Sequence, residues 1–264
     1  MTHQPLIEVN QITRTDPANQ RDLLKSASLT LRDGDRIGLR GPSGSGKSTL
    51  LRAIACLDPV QSGTIQFQGQ PLLSDKIPKY RRTVAYLPQR SVAFAGSVKD
   101  NLQVAFDLEV CKTQSEAKRN ETQIMEAQIV AHLASFGRTA DFLDQPAASL
   151  SGGELQIVAL IRCLLTQPMI ILFDEPTASL DSVTQAQFEQ EVESWFSARH
   201  SPSENFEKSP EPRAFIWSSH DTSQLKRLTD QAITMHEGTL EVVMTLEDES
   251  KLEHEDPPSQ ELNQ

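Results

Sequence analysis

At 264 residues and 38 % hydrophobic content, the chain is long enough to bury a substantial core and suits one α/β domain with an insertion better than two independent domains. Its formal net charge of −11 argues against a nucleic-acid-binding surface, because such surfaces are usually basic. Three scattered cysteines (Cys56, Cys111 and Cys163) argue against a disulfide framework or zinc site and fit a reducing cytoplasm.

Residues 1–5 lack the charged and apolar regions of a signal peptide. Residues 6–12 and 27–31 alternate apolar and polar side chains, as half-buried strands do. Asp33-Gly34-Asp35 marks a turn, and residues 35–40 form a short strand entering a glycine-rich loop. Residues 50–55 leave that loop as a helix. Strands follow at 64–67 and 83–87, the second ending at Pro88-Gln89. Residues 97–148 are mostly helical, and within 112–136 Ile124, Ile129, Leu133 and Phe136 recur at helical spacing. Helix resumes after Ser151-Gly152-Gly153. The apolar run 169–173 suits a strand buried on both faces of a parallel sheet. An amphipathic helix over 183–198, a proline- and glutamate-rich loop over 201–212 and a strand over 214–218 complete the pattern. Strands alternating with helices predict a parallel α/β core. The longest apolar stretches, 157–161 and 169–173, are five residues each, far short of the roughly 20 that cross a membrane, so any membrane role is expected to come through a partner. Residues 247–264 carry seven acids against one lysine and are expected to be a disordered, solvating tail.

Three motifs carry chemistry. Gly41-Pro42-Ser43-Gly44-Ser45-Gly46-Lys47-Ser48-Thr49 fits G-x-x-x-x-G-K-[ST], a loop whose glycines let successive N–H groups converge on nucleotide phosphates. The helix behind it adds free N–H groups and the positive end of its dipole. Lys47 is expected to reach the β- and γ-phosphates, Ser48 to ligate Mg²⁺, and Thr49 to donate near the α-phosphate. Asp174-Glu175 end the buried strand, where α/β sheets place ligands. Asp174 is expected to hold the Mg²⁺ shell and Glu175 to polarise the attacking water. Leu150-Ser151-Gly152-Gly153-Glu154 is another helix N-terminus with N–H groups able to receive an anion, or a plain capping turn.

The phosphate loop, Gln89, Leu150–Glu154, Asp174-Glu175, Ser179-Leu180-Asp181 and His220, in this order, resemble the ATP-binding cassette (ABC) ATPases over residues 6–243. The resemblance implies a RecA-like P-loop core with an N-terminal antiparallel β subdomain and an inserted helical subdomain. Core segments would be 1–89 and 167–246, the insert 90–166, and the tail 247–264. It implies a head-to-tail homodimer around two ATP molecules, with Ser151, Gly152 and Gly153 facing the other protomer's phosphate loop. Gln89 would touch Mg²⁺ or the lytic water, His220 the γ-phosphate, and Asp181 would couple the two sites. Lys47, Glu175, His220 and Gln89 would carry hydrolysis. Such cassettes usually stack adenine on an aromatic residue after the first strand, whereas here no Phe, Tyr or Trp precedes Phe67. Arg14 takes that place, either stacked on the base or simply solvated. Ile157 stands where the family usually has arginine.

The leading expectation is an ATPase subunit that binds a separate transmembrane permease on the inner face of the membrane. The segment Gln89 to Leu102 is similar to export-type cassettes, and the chain to a bacterial group linked to metal (iron) efflux. The alternatives are a cassette regulating an envelope complex, or a soluble cassette acting on ribosomes or DNA. The single cassette, the acidic balance and the lack of room for a long coiled coil disfavour the soluble reading.

Overall fold

A computed structural model describes residues 4–107, 118–198 and 212–245. The acidic tail, Cys111, the first residues of the helix expected from 112, and residues 201–211 of the expected loop lie outside them.

Two sheets form the frame. Strands β1 (Ile7–Thr15), β2 (Asp22–Leu31), β4 (Ser62–Phe67) and β5 (Gln70–Pro71) make an antiparallel sheet in the order β2-β1-β4-β5. The second sheet runs β10-β9-β3-β8-β7-β6, from β3 (Arg36–Arg40), β6 (Val84–Leu87), β7 (Ile170–Asp174), β8 (Ala214–Ser218), β9 (Gln231–His236) and β10 (Thr239–Thr245). It is parallel from β6 to β9, and β10 closes it antiparallel. The helices are α1 (Lys47–Ile54), α2 (Ile77–Thr83), α3 (Val98–Asp107), α4 (Lys118–Ser135), α5 (Gly152–Leu165), α6 (Ser182–Ser197) and α7 (Thr222–Leu228).

The central strands are apolar on both sides because they divide two cores. Side chains alternate along a strand. Ile170 and Leu172 of β7 therefore pack with α1 and the antiparallel sheet, whereas Ile171 and Phe173 pack with α3, α5 and α6. Strand β8 repeats the pattern, with Ala214 and Ile216 on the first side and Phe215 and Trp217 on the second. On that second side Phe173 meets Phe188, Phe215 and Trp217 at centroid distances of 6.4, 6.0 and 4.7 Å, within the range of favourable ring pairs. The expected α/β core is thus present.

Helices α3, α4 and α5, with 3₁₀ turns at Ala140–Asp144 and Ala147–Ser149, fill the region expected to be helical. Ile157, in place of the family's usual arginine, is buried in their shared core, so the substitution exchanges a charge for packing. Core helices α6 and α7 are joined by a polar cluster. Arg227 donates to both Glu189 oxygens at 3.0 and 2.9 Å, and Gln224 and Gln185 donate to its Oε1 at 2.8 and 3.0 Å. Burial pushes the Glu189 pKa up, but these donors together hold it below the usual glutamate value.

Candidate active site

The glycine-rich loop lies between β3 and α1, at the C-terminal edge of the parallel strands. Its shape depends on glycine at two close approaches. Gly41 has φ +149°, and a Cβ there would sit 2.2 Å from the Met235 carbonyl oxygen of β9. Gly46 caps α1 at φ +112°, and a Cβ would sit 2.7 Å from the Leu23 carbonyl oxygen of β2. Neighbouring strands thus close on the loop from behind and turn its N–H groups outward. Pro42, Ser43, Gly44 and Ser48 are exposed, and Thr49 is half-buried beside them. Ser45 is buried and its Oγ has no hydrogen-bond partner. An orphaned buried hydroxyl in a glycine-rich loop at a helix N-terminus fits an anion such as phosphate.

The four residues expected to carry hydrolysis meet at one carboxylate. Glu175 follows β7 with φ +47°, a left-handed conformation costly for a side chain of its size. Its backbone N–H donates to Ser218 Oγ at 2.9 Å. Its Oε1 is 2.7 Å from His220 Nε2 and 3.6 Å from Lys47 Nζ, and its Oε2 accepts from Gln89 Nε2 at 3.0 Å. Lys47 is 5 % exposed and also donates to the Gly41 and Pro42 carbonyls at 2.8 and 3.3 Å, so its charge is already aimed into the loop.

Asp174 stands beside this group, buried at the end of β7. Its Oδ1 accepts from Ser48 Oγ at 3.0 Å and Ser218 Oγ at 3.2 Å, and its Oδ2 accepts from the Tyr86 hydroxyl at 2.8 Å. All three donors are neutral. A buried carboxylate served only by hydroxyls, next to a serine facing the loop, fits a hard divalent cation such as Mg²⁺. Among the described residues no cluster of three or more His, Cys, Asp or Glu offers an all-protein metal cage. Mg²⁺ needs none, because it keeps waters and substrate phosphates as ligands. Burial, then the charge of Asp174, raises the Tyr86 pKa well above that of free tyrosine, so the hydroxyl keeps its proton.

The Ser151-Gly152-Gly153 turn stands elsewhere. Among the described residues, no hydrogen bond joins it to the phosphate loop of its own chain. Ser151 caps α5 in a reciprocal box: its Oγ accepts from Glu154 N at 3.3 Å and its own N–H donates to Glu154 Oε2 at 3.0 Å. That N–H, then the serine hydroxyl and Arg138, hold the Glu154 carboxyl below its usual pKa. Leu180 packs against Gly153, so Asp181 is a neighbour of this turn rather than of Lys47. The Asp181 carboxylate caps α6, accepting from Val183 N and Thr184 N at 3.0 Å each. Ser151→Ala is expected to cost about 1 kcal/mol of unfolding free energy through the lost cap. Urea denaturation of the free protein measures it.

Two contacts were not foreseen. Gln156 Nε2 donates to the Pro88 carbonyl at 3.0 Å, and Arg162 Nη2 donates to the Val92 carbonyl at 3.2 Å. Helix α5 therefore grips the chain on both sides of Gln89. Buried Asn101 holds the same segment, pairing with the Phe94 N–H and carbonyl at 2.7 and 3.0 Å. Arg14 corrects an expectation. It is not simply solvated: its guanidinium hydrogen-bonds the Pro59 carbonyl and lies 3.5 Å from Asp58 Oδ2. A carboxylate one strand away outcompetes water for a half-buried guanidinium.

Comparison with known proteins agrees with this geometry. A family model described as ABC transporter matches residues 24–178, more than half of the chain. The sulfate/thiosulfate import ATP-binding protein CysA of Vibrio cholerae is 33 % identical over 232 residues, covering 85 % of this chain and 54 % of its own length. The spermidine/putrescine import ATP-binding protein PotA of Spiroplasma citri is 31 % identical over 243 residues, covering 90 % and 63 %. The chain thus spans somewhat more than half the length of these curated relatives. A dimeric ATP-binding cassette in a post-hydrolysis state, bound to ADP and Pi, superposes with a TM-score of 0.74 at 24 % identity, covering 91 % of this chain and 98 % of that one. By the family match and the ordered motifs on one α/β frame, this chain belongs to the ABC transporter family.

Proposed function

We propose that the chain is a Mg²⁺-dependent ATPase that works as a pair and drives a separate transmembrane permease. The observation that carries this reading is the convergence of Lys47, Gln89 and His220 on Glu175, beside Asp174 and Ser48. Gly41 to Thr49 would wrap the triphosphate, and Lys47 would exchange its Glu175 partner for the β- and γ-phosphates. Ser48, Asp174 and Gln89 would hold Mg²⁺, which supplies charge neutralisation on the phosphate oxygens. Glu175 would accept the proton of the attacking water, with His220 and Gln89 fixing its two oxygens. The turn of exposed Ser151 and Gly152 and half-buried Gly153 would complete the site of a second copy, and Asp181 beside it would link the two sites.

The permease part of the reading is supported by apolar exposure next to the site. Among the described residues no helix is long and apolar enough to cross a membrane. Yet Val92 and Phe94 are 75 % and 55 % exposed on the segment that α5 and Asn101 hold in shape. Such a surface suits a coupling helix of a membrane partner and would place the chain at the cytoplasmic face. The relatives named above are import proteins, whereas residues 89–102 resemble export-type cassettes. Export is therefore a second reading that rests on that segment, and metal efflux one that rests on the resemblance of the chain to a bacterial group linked to it. Reconstitution in vesicles with a partner permease tests both. ATP-dependent solute flux is expected, and its direction selects between import and export. A stable, ATP-hydrolysing complex that moves no solute would instead support regulation of an envelope complex.

A further inference from the structure

Asp174 is a charge without a visible counter-charge. It is 4 % exposed, and among the described residues no lysine or arginine forms an ion pair with it. Only hydroxyls serve it, and those hydroxyls are not equivalent. The Ser218 oxygen already accepts the Glu175 N–H at 2.9 Å, so its single proton goes to Asp174. The Tyr86 hydroxyl donates to Asp174 Oδ2 at 2.8 Å, and the nearby Arg52 guanidinium, which can only donate, does not compete for that proton. Arg52 is in turn fixed by Asp58, through two hydrogen bonds of 2.9 Å. Among the described residues no donor stands behind Ser48, so its hydroxyl can turn a lone pair outward.

We propose that Tyr86, whose hydroxyl is hydrogen-bonded to Asp174, is a positioning residue of the metal centre. It pins Oδ2 of Asp174 at 2.8 Å, which leaves Oδ1 turned toward Ser48 and the phosphate loop. A carboxylate held at one oxygen cannot rotate when a cation approaches the other, so less ordering remains for metal binding to accomplish. Tyr86 would act through Asp174, its hydrogen-bond partner, rather than as a ligand itself. The inference rests on the ATPase reading above.

The test uses Mn²⁺ as probe, titrated into the full ADP-loaded chain and followed by electron paramagnetic resonance. Tyr86→Phe is expected to weaken Mn²⁺ binding about tenfold, the lower end of what lost outer-sphere partners cost. ADP affinity in EDTA should stay within about twofold, since no phosphate contact is altered. Arg52→Met, on the partly exposed face of α1, frees the hydroxyl rotor and should weaken Mn²⁺ by about threefold. Unchanged Mn²⁺ affinity in Tyr86→Phe would overturn the proposal. So would an equal loss of metal-free ADP affinity, which would assign Tyr86 to shaping the loop. Should the phenylalanine variant fail to fold, Arg52→Met decides on the same criterion. No Mn²⁺ binding to the unaltered ADP-loaded chain would refute the ATPase reading itself.

Discussion

Glu175→Gln is expected to lower ATP turnover by about a thousandfold while leaving an ATP-bound dimer that persists, since a general base contributes 10²–10⁴-fold. Glutamine keeps the shape and the hydrogen bond to Gln89 or His220, but it has no lone pair basic enough to take the water proton. It also removes the negative charge 3.6 Å from Lys47, where a γ-phosphate must come to rest. Binding should therefore hold or tighten as chemistry stops. Phosphate release reports the first effect, and size-exclusion chromatography with ATP and Mg²⁺ reports the second. Turnover within tenfold of the unaltered protein would remove Glu175 from the role of base.

Gly41→Ala should lose about 2–4 kcal/mol of stability and all measurable nucleotide binding, a loss of the size that left-handed strain and backbone clash produce together. The new Cβ would fall 2.2 Å from the Met235 carbonyl oxygen, and neither side of that contact can yield. The oxygen belongs to β9, which is hydrogen-bonded to β3 on one side and β10 on the other. Gly44→Ala is the matched control. Its φ is +76°, but a Cβ there meets nothing within 4 Å, so only the backbone preference of about 1 kcal/mol is at stake. Urea unfolding and nucleotide titration of both variants should rank them in that order. Equal losses would mean that conformation, not contact, governs the loop.

Much of this was legible in the sequence because it was written in strong local terms. The run 169–173 announced a two-faced strand, and Ile170 to Phe173 are buried in β7 with Met169 half-buried at its edge. The loop, Asp174 and Glu175 were found by spacing and then met in space. Other parts were silent. Helix α2 is seven residues with three basic side chains and a proline, too short for periodicity to show. Helix α7 and strands β9 and β10 follow His220 with weak alternation; β9 takes its place beside β3, and β10 pairs with β9. Tyr86 lay inside an expected strand as an ordinary aromatic. Its alternation with Leu87 gave its face but not the carboxylate opposite it, since Asp174 is 88 residues away. Arg14 failed in the same way: its partner Asp58 comes from beyond α1, out of reach of any local pattern.

The double grip of α5 has a mechanical consequence. Fourteen residues make a rod about 21 Å long, with the Ser151 turn at its tip. Gln156 and Arg162, on its flank, clamp the chain before and after Gln89. A strap fastened at two points to one stiff lever has no travel of its own. In the proposed pair, a second protomer pressing on the tip would carry with it the strap that bears Phe94, without a separate signal.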